Sequence, residues 1–320
     1  MPLEAEALGE DQRALLRHWI EQGAEWPLGI GSDAESVEVH WAYQRVERPR
    51  LPLPRRSDWI RNPIDAFIAT AQAKHGLKPR PEAPRDVWLR RVYLDLIGLA
   101  PTPEQRATFL KDTSATAHER VVDELLAHPA YGERWGRHWM DVWRYSDWAG
   151  YKQALRESQR HIWHWRDWIV ESLNADKKYD RMILEMLAAD EAMPEETDAL
   201  RATGYLARHY FHKRDQWMDD VVKHTSQAFM GVTLACARCH DHKHDAFPQE
   251  DYYALRAVFA PYHVRTDRVP GVLDVAKNGL PRAFDNSLNA KVYLFKRGDE
   301  RYPVKAVSYT HLTLPTNREV

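Results

Sequence analysis

The sequence predicts a mainly α fold: an irregular multi-helix domain followed by a short strand- and loop-rich C-terminal extension. Apolar residues recur at i, i+3 and i+4 through most of the chain up to Tyr262, the spacing that lets a helix bury one face. Helix-start signals precede several of these runs, in Asn62-Pro63, Thr102-Pro103-Glu104-Gln105 and Thr116-Ala117-His118-Glu119. Beyond Tyr262 the chain is punctuated by Pro and Gly, and only Lys291-Val292-Tyr293-Leu294-Phe295 reads as a strand.

Taken in order, a first helix is expected over about 10–22, with Leu15, Leu16, Trp19 and Ile20 on one face and Gly23 as its stop. Residues 28–56 are Pro-rich and basic toward their end, as in a linker. The next helix opens at Asn62 with Pro63 in its first turn, and is expected to bury Ile64, Phe67 and Ile68 before stopping near Gly76. Another spans about 84–97 and ends at Gly98, and the Thr102 and Thr116 capping boxes each open one more. Further helices are predicted at about 130–146, 153–174, 179–189, 196–208, 215–235 and 249–260.

Composition narrows the function. The 320 residues carry a formal charge of −2, so the totals give no basic face for a nucleic-acid backbone. No run of 18 or more apolar residues offers a membrane span, and the acidic start Met-Pro-Leu-Glu-Ala-Glu lacks the apolar segment of a signal peptide. Neither a Ser/His/Asp nucleophile signature nor a Gly-rich phosphate loop is present. Of 13 Trp residues, seven fall between Trp135 and Trp168, a density suited to a heavy core or to the walls around a flat cofactor.

The chain has two cysteines, and they stand three positions apart with a histidine directly after, in Cys236-Ala237-Arg238-Cys239-His240. Random placement would produce that arrangement about once in 3,000 chains of this composition. On a helical turn, Cys236 and Cys239 share one face and can reach the two vinyl groups of a haem, while the imidazole of His240 ligates the iron. Rival readings use the same residues. Cys236, Cys239 and His240 with His242 or His244 could hold zinc, although the usual second ligand pair further along the chain is missing. A thioredoxin-like redox pair wants a βαβ context, and a disulfide across so short a loop contributes little.

Several ordered motifs extend the picture: Asn62-Pro63-Ile64-Asp65-Ala66-Phe67-Ile68, Asp95-Leu96-Ile97-Gly98-Leu99 with Pro101-Thr102-Pro103, and Tyr131-Gly132-Glu133-Arg134-Trp135 with Arg137-His138-Trp139. Cys236-Ala237-Arg238-Cys239-His240-Asp241-His242-Lys243 and Pro248-Gln249-Glu250-Asp251-Tyr252-Tyr253 complete the series. Together they resemble the planctomycete-type cytochrome c family, in its large central domain of unknown function, over about 57–265. The resemblance implies haem c on Cys236, Cys239 and His240, export to the periplasm or beyond, and redox partners that include a neighbouring cytochrome domain of the same parent protein. One departure is local: the family commonly places an aromatic residue and Asp-Pro after the motif lysine, where this chain has His244-Asp245-Ala246.

Residues 1–27 resemble the closing helix of the small cytochrome domain that precedes this one in the family, with Met1-Pro2 where an axial methionine often stands. Met1 is accordingly expected to be internal to a longer reading frame. Residues 266–306 resemble the junction to a further domain, and 307–320 look like a translated sequencing adaptor.

The ligand opposite His240 decides what the haem can do. His138 is the leading candidate, beside Trp135, Trp139, Val142 and Trp143 on its helix; Met140, Met230 and the pairs His161/His164 and His209/His212 are alternatives. An electron-transfer domain is the main reading. A haem enzyme with an open distal face and a zinc-stabilised interaction module are the alternatives.

Overall fold

The computed structural model describes residues 9–22, 41–52, 59–147, 159–208, 214–245, 247–287 and 289–307. Expectations that fall on Met1-Pro2, Gly23, His209/His212 and the adaptor-like tail after Val307 lie outside the described residues. Two compact units are present, Met1–Pro81 and Glu82–Val320.

In the first unit, α1 spans Glu10–Glu21 and α2 spans Pro63–Lys74. The Asn62 side chain accepts the Asp65 N–H at 3.1 Å, and the Asp65 carboxylate accepts the N–H groups of Asn62 and Arg61. This reciprocal cap satisfies amides that a helix start leaves open. The expected apolar face of α2 is corrected, because Ala66 and Ala69 are the buried residues and Ile64, Phe67 and Ile68 are exposed. The small side chains are the shielded ones, and the bulky stripe is open to solvent.

The second unit begins with α3 (Arg85–Leu96), α4 (Pro103–Lys111) and α5 (Ala117–Leu126), packed around Leu89, Tyr93, Ile97, Phe109 and Leu125. Thr102 and Gln105 form their predicted capping box. Thr116 does not: its backbone is not extended, and its side chain caps nothing. Arg85 clips the end of α4 by donating to the carbonyls of Phe109 and Asp112, each at 2.7 Å.

Next, α6 (Ala130–Val142) and α7 (Trp163–Asn174) approach so closely that a Cβ at Gly132 would lie 2.4 Å from the Val170 carbonyl oxygen. The Gly132 N–H donates to Asn174, whose amide donates to the Pro129 carbonyl. After them come α8 (Tyr179–Ala192), α9 (Thr197–Ala202) and α10 (Gly204–Ala207). The single helix expected over 196–208 is broken at Thr203, whose hydroxyl donates to the Leu200 carbonyl and accepts the Ala283 N–H. Trp143, Trp165 and Trp168 are buried in the central core with Met186, Tyr205 and Trp217, so much of the Trp-rich stretch is core.

The helix expected over 215–235 also ends early. Its regular part, α11, is Arg214–Thr225, followed by a π-type turn over Ser226–Met230 and a left-handed Gly231 at φ +68°. A 3₁₀ turn over Leu234–Arg238 and α12 (Gln249–Phe259) complete the helical part. Two antiparallel hairpins then replace most of the expected loop. One pairs β1 (Tyr262–Arg268) with β2 (Gly279–Asp285), from Tyr262↔Asp285 to Arg268↔Gly279. The other pairs β3 (Val292–Phe295) with β4 (Pro303–Val307). Val292 and Leu294 of β3 join Val222, Val232, Leu234 and Tyr253 in a second core beneath the 3₁₀ turn.

Candidate functional site

The 3₁₀ turn explains how the motif is displayed. With three residues per turn, side chains at i and i+3 eclipse. Leu234 and Ala237 therefore share the inward edge and are buried, while Cys236 and Cys239 share an outward edge as exposed free thiols. The preceding apolar run is used by the protein itself: Val232 and Leu234 belong to the second core, and the Phe229 ring lies 5.3 Å from that of Tyr205.

His240 is exposed at the end of the turn. Its Nδ1 lies 2.6 Å from the Asp241 carbonyl oxygen. A carbonyl only accepts, so Nδ1 carries a proton, and in the neutral ring Nε2 keeps the lone pair. That is the tautomer an imidazole needs to ligate a metal through Nε2, with the second nitrogen oriented by a hydrogen bond.

His242 is turned the other way. Its side chain is 7 % exposed, its Nδ1 accepts the amides of His244 and Asp245, and its Nε2 therefore donates to the Thr233 hydroxyl at 3.0 Å. With both nitrogens committed, it serves the loop and not a zinc ion. Among the described residues, no group of three or more His, Cys, Asp and Glu side chains is gathered to hold a metal ion.

The N-terminus of α12 grips the motif on both sides. The Gln249 side chain donates to the Arg238 carbonyl at 2.7 Å and to the Phe295 carbonyl at 3.0 Å. Its backbone N–H donates to the Asp241 carboxylate at 2.8 Å, and the Tyr253 hydroxyl adds a second bond to the Arg238 carbonyl. The residue before Cys239 and the residue after His240 are thus tied to one helix end. Gly298, at φ +73°, lies directly against Cys239. Sequence reasoning missed these supports; Gln249 and Tyr253 stand within a quoted motif, but nothing in the sequence told which atoms they hold.

Charged groups lie beside the turn. The Arg238 guanidinium reaches Asp219 at 3.1 Å and Glu300 at 3.7 Å, and the nearly buried Arg256 reaches Asp215 and Asp219 at 2.7 and 3.2 Å. Tyr252 donates its hydroxyl to Asp219, and burial followed by that carboxylate pushes the phenol well above its ordinary range. Glu300 is raised by burial first and then by its hydrogen bond with Asp215. An open groove of about 610 Å³ runs along this network, lined by Asp215, Asp219, Arg238, Gly298 and Glu300 among others.

The donor set fits a covalently attached haem. Two exposed thiols share an edge, the adjoining imidazole offers Nε2, and position 298 has no Cβ to crowd Cys239. His138 is elsewhere in the packing scheme. It is exposed on α6 with its ring 5.6 Å from Trp135, and α6 packs chiefly on α7, whereas the motif turn packs on α12 and α11. Met140 is packed against the central core and Met230 is exposed. His164 hydrogen-bonds Asn278 and His161 the Ala276 carbonyl.

A mainly α domain that presents two thiols and an imidazole on one outward turn defines the structural class. The family model described as PSCyt2, protein of unknown function (DUF1549), matches residues 63–264, and the chain belongs to that family. Its designation marks a cytochrome-type domain of unknown function. The match takes in α2 through α12, whereas Gly298 and the β3–β4 hairpin fall after it. No curated protein and no solved structure matches the chain. Among the described residues, no helix is long and apolar enough to cross a membrane.

Proposed function

We propose that this chain is a haem c domain that relays electrons within a larger, exported, multi-domain protein. The observation that carries the reading is the shared outward edge of Cys236 and Cys239, with His240 beside them and its Nε2 lone pair free. Each thiol would add across one vinyl group, with the sulfur bonding one carbon and the thiol hydrogen passing to its neighbour. The haem, when bound, supplies one-electron redox chemistry. The protein's part is to hold the ligand in place. Asp241 fixes the His240 tautomer, and Gln249 and Tyr253 fix the backbone on either side of Cys239. Partners would be redox proteins, first among them a neighbouring cytochrome domain of the same parent protein, and export follows from where haem c is attached.

Production in a periplasm with haem-attachment machinery tests this. The protein should retain a haem through denaturation and give a haem c pyridine haemochrome spectrum, and Cys236→Ser with Cys239→Ser should abolish it. An unmutated protein that retains no covalent haem would overturn the proposal.

A further inference from the structure

Away from the motif, α4 and α5 both pack on α3 and leave a cleft of about 410 Å³, the size of a small-molecule site. Its apolar lining comes from Leu89, Phe109, Ala117 and Val121. Its charged lining is acidic: Glu104, Asp112 and Glu124 stand against one cation, Arg120, so two negative charges go unmatched. Asp112 holds Arg120 at the α4–α5 connection, at 2.7 Å. Farther along the two helices, Glu104 and Glu124 make no salt bridge and no side-chain hydrogen bond among the described residues. Glu124 lies in the last turn of α5, which carries no basic residue, so the negative end of the helix adds to its field. Tyr93 of α3 also lines the cleft. Its side chain is 5 % exposed, and its hydroxyl has no hydrogen-bond partner among the described residues. Burial first, and then the Glu124 charge, push this phenol above its ordinary pKa, so the hydroxyl lies in the field of a carboxylate of the same cleft. A buried hydroxyl without a partner forgoes a hydrogen bond that an occupant can supply.

We propose that this cleft binds a primary ammonium ion carried on an apolar chain. Glu124 and the Tyr93 oxygen accept the ammonium N–H groups, Glu104 adds its charge, and the chain lies on the apolar lining. The same chemistry turns away two other kinds of cation. Among the described residues, no group of three or more His, Cys, Asp and Glu side chains is gathered to hold a metal ion. Phe109 already carries the Arg85 guanidinium 4.2 Å over its ring and Trp88 stacked on it, so it offers no open aromatic cage for a quaternary ammonium.

Calorimetric titration of the full chain with hexylammonium chloride tests this, with hexanol and sodium hexanoate as probes of the same chain length. Hexylammonium should bind with a Kd of about 1 mM or tighter, and hexanol at least about tenfold more weakly. Hexanoate should not bind. Glu104→Gln combined with Glu124→Gln changes two exposed side chains and should weaken hexylammonium at least about tenfold. It should also remove most of the loss of affinity that added salt causes in wild type. Tyr93→Phe keeps the ring, loses only an unbonded hydroxyl, and should weaken the amine about threefold to tenfold. The proposal is overturned if hexylammonium fails to bind at about 10 mM, or if the three probes bind alike. It is overturned equally if the double Gln variant or Tyr93→Phe binds the amine as wild type does. None of these titrations requires haem, so this proposal and the haem reading fail separately.

Discussion

Gly298 stands so close to Cys239 that a Cβ at position 298 would lie 2.8 Å from the thiol sulfur. The contact joins the turn after β3 to the motif and makes residue identity at 298 a condition for the geometry at 239. Gly298→Ala should destabilise the protein by about 1–3 kcal/mol, from positive φ and the sulfur contact together. Urea unfolding of Gly298→Ala, Cys239→Ala and the double variant measures it. A coupling above about 0.5 kcal/mol is expected, because removing the sulfur relieves part of the clash.

Gln249→Leu should cost about 1–3 kcal/mol, because the Phe295 carbonyl loses a donor and the Arg238 carbonyl keeps only Tyr253. Adding Tyr253→Phe strips the Arg238 carbonyl of both. The double variant should therefore lose more than the two single losses combined in equilibrium unfolding.

The two neighbouring histidines should separate cleanly. In haem-free protein, His240→Ala should change stability by less than about 0.5 kcal/mol, as expected of an exposed side chain. His242→Ala removes hydrogen bonds to Thr233, His244 and Asp245 and should cost about 1–3 kcal/mol. Equal losses for the two in urea unfolding would contradict the assignment of one to ligation and the other to the loop.

A pH effect is expected at Asp190 on α8. Burial above all, with Asp285 and Glu191 adding to it and Arg282 opposing, raises its carboxyl from 3.8 to about 6. One of its oxygens is buried without a partner. A raised carboxyl favours the protonated form in the folded protein. Its contribution is therefore complete below about pH 4 and is lost as pH rises through about 6. Asp190→Asn should flatten that decline and gain about 1–2 kcal/mol at neutral pH, a figure discounted for solvent screening. Thermal unfolding from pH 4 to 8, in wild type and variant, reads it.

Where local chemistry decides the structure, the sequence is readable. The Asn62 cap and the Thr102/Gln105 box are satisfied by residues three apart and form as expected, with Asp65 adding a reciprocal bond at the first. Thr116 carries the same pattern but lacks the backbone conformation, which tertiary packing decides. The strand expected at 291–295 forms as β3, whereas the first hairpin escapes: β1 alternates Tyr262, Val264 and Thr266 with polar residues, but its partner β2 has no alternation and carries Pro281. Each sheet has two strands, so both are edges and the proline displaces no central bond. At the candidate site, Cys236, Cys239 and His240 are legible from spacing alone. Gly298 is not, because only the folded chain brings it back to Cys239.

The bonds that hold the motif fall into two ranges of chain separation. Thr233–His242, Asp241–Gln249 and Arg238–Gln249 close loops of 9, 8 and 11 residues, while Gln249–Phe295 spans 46. Loops of about ten residues close in tens of nanoseconds, and longer ones carry a larger entropic cost. Assembly should therefore be staged, with the thiol-bearing loop taking shape from its own neighbourhood and the β3 segment, followed by Gly298, sealing it afterwards. A nascent chain would in this way present Cys239 before the Gly298 backbone comes to lie beside its sulfur.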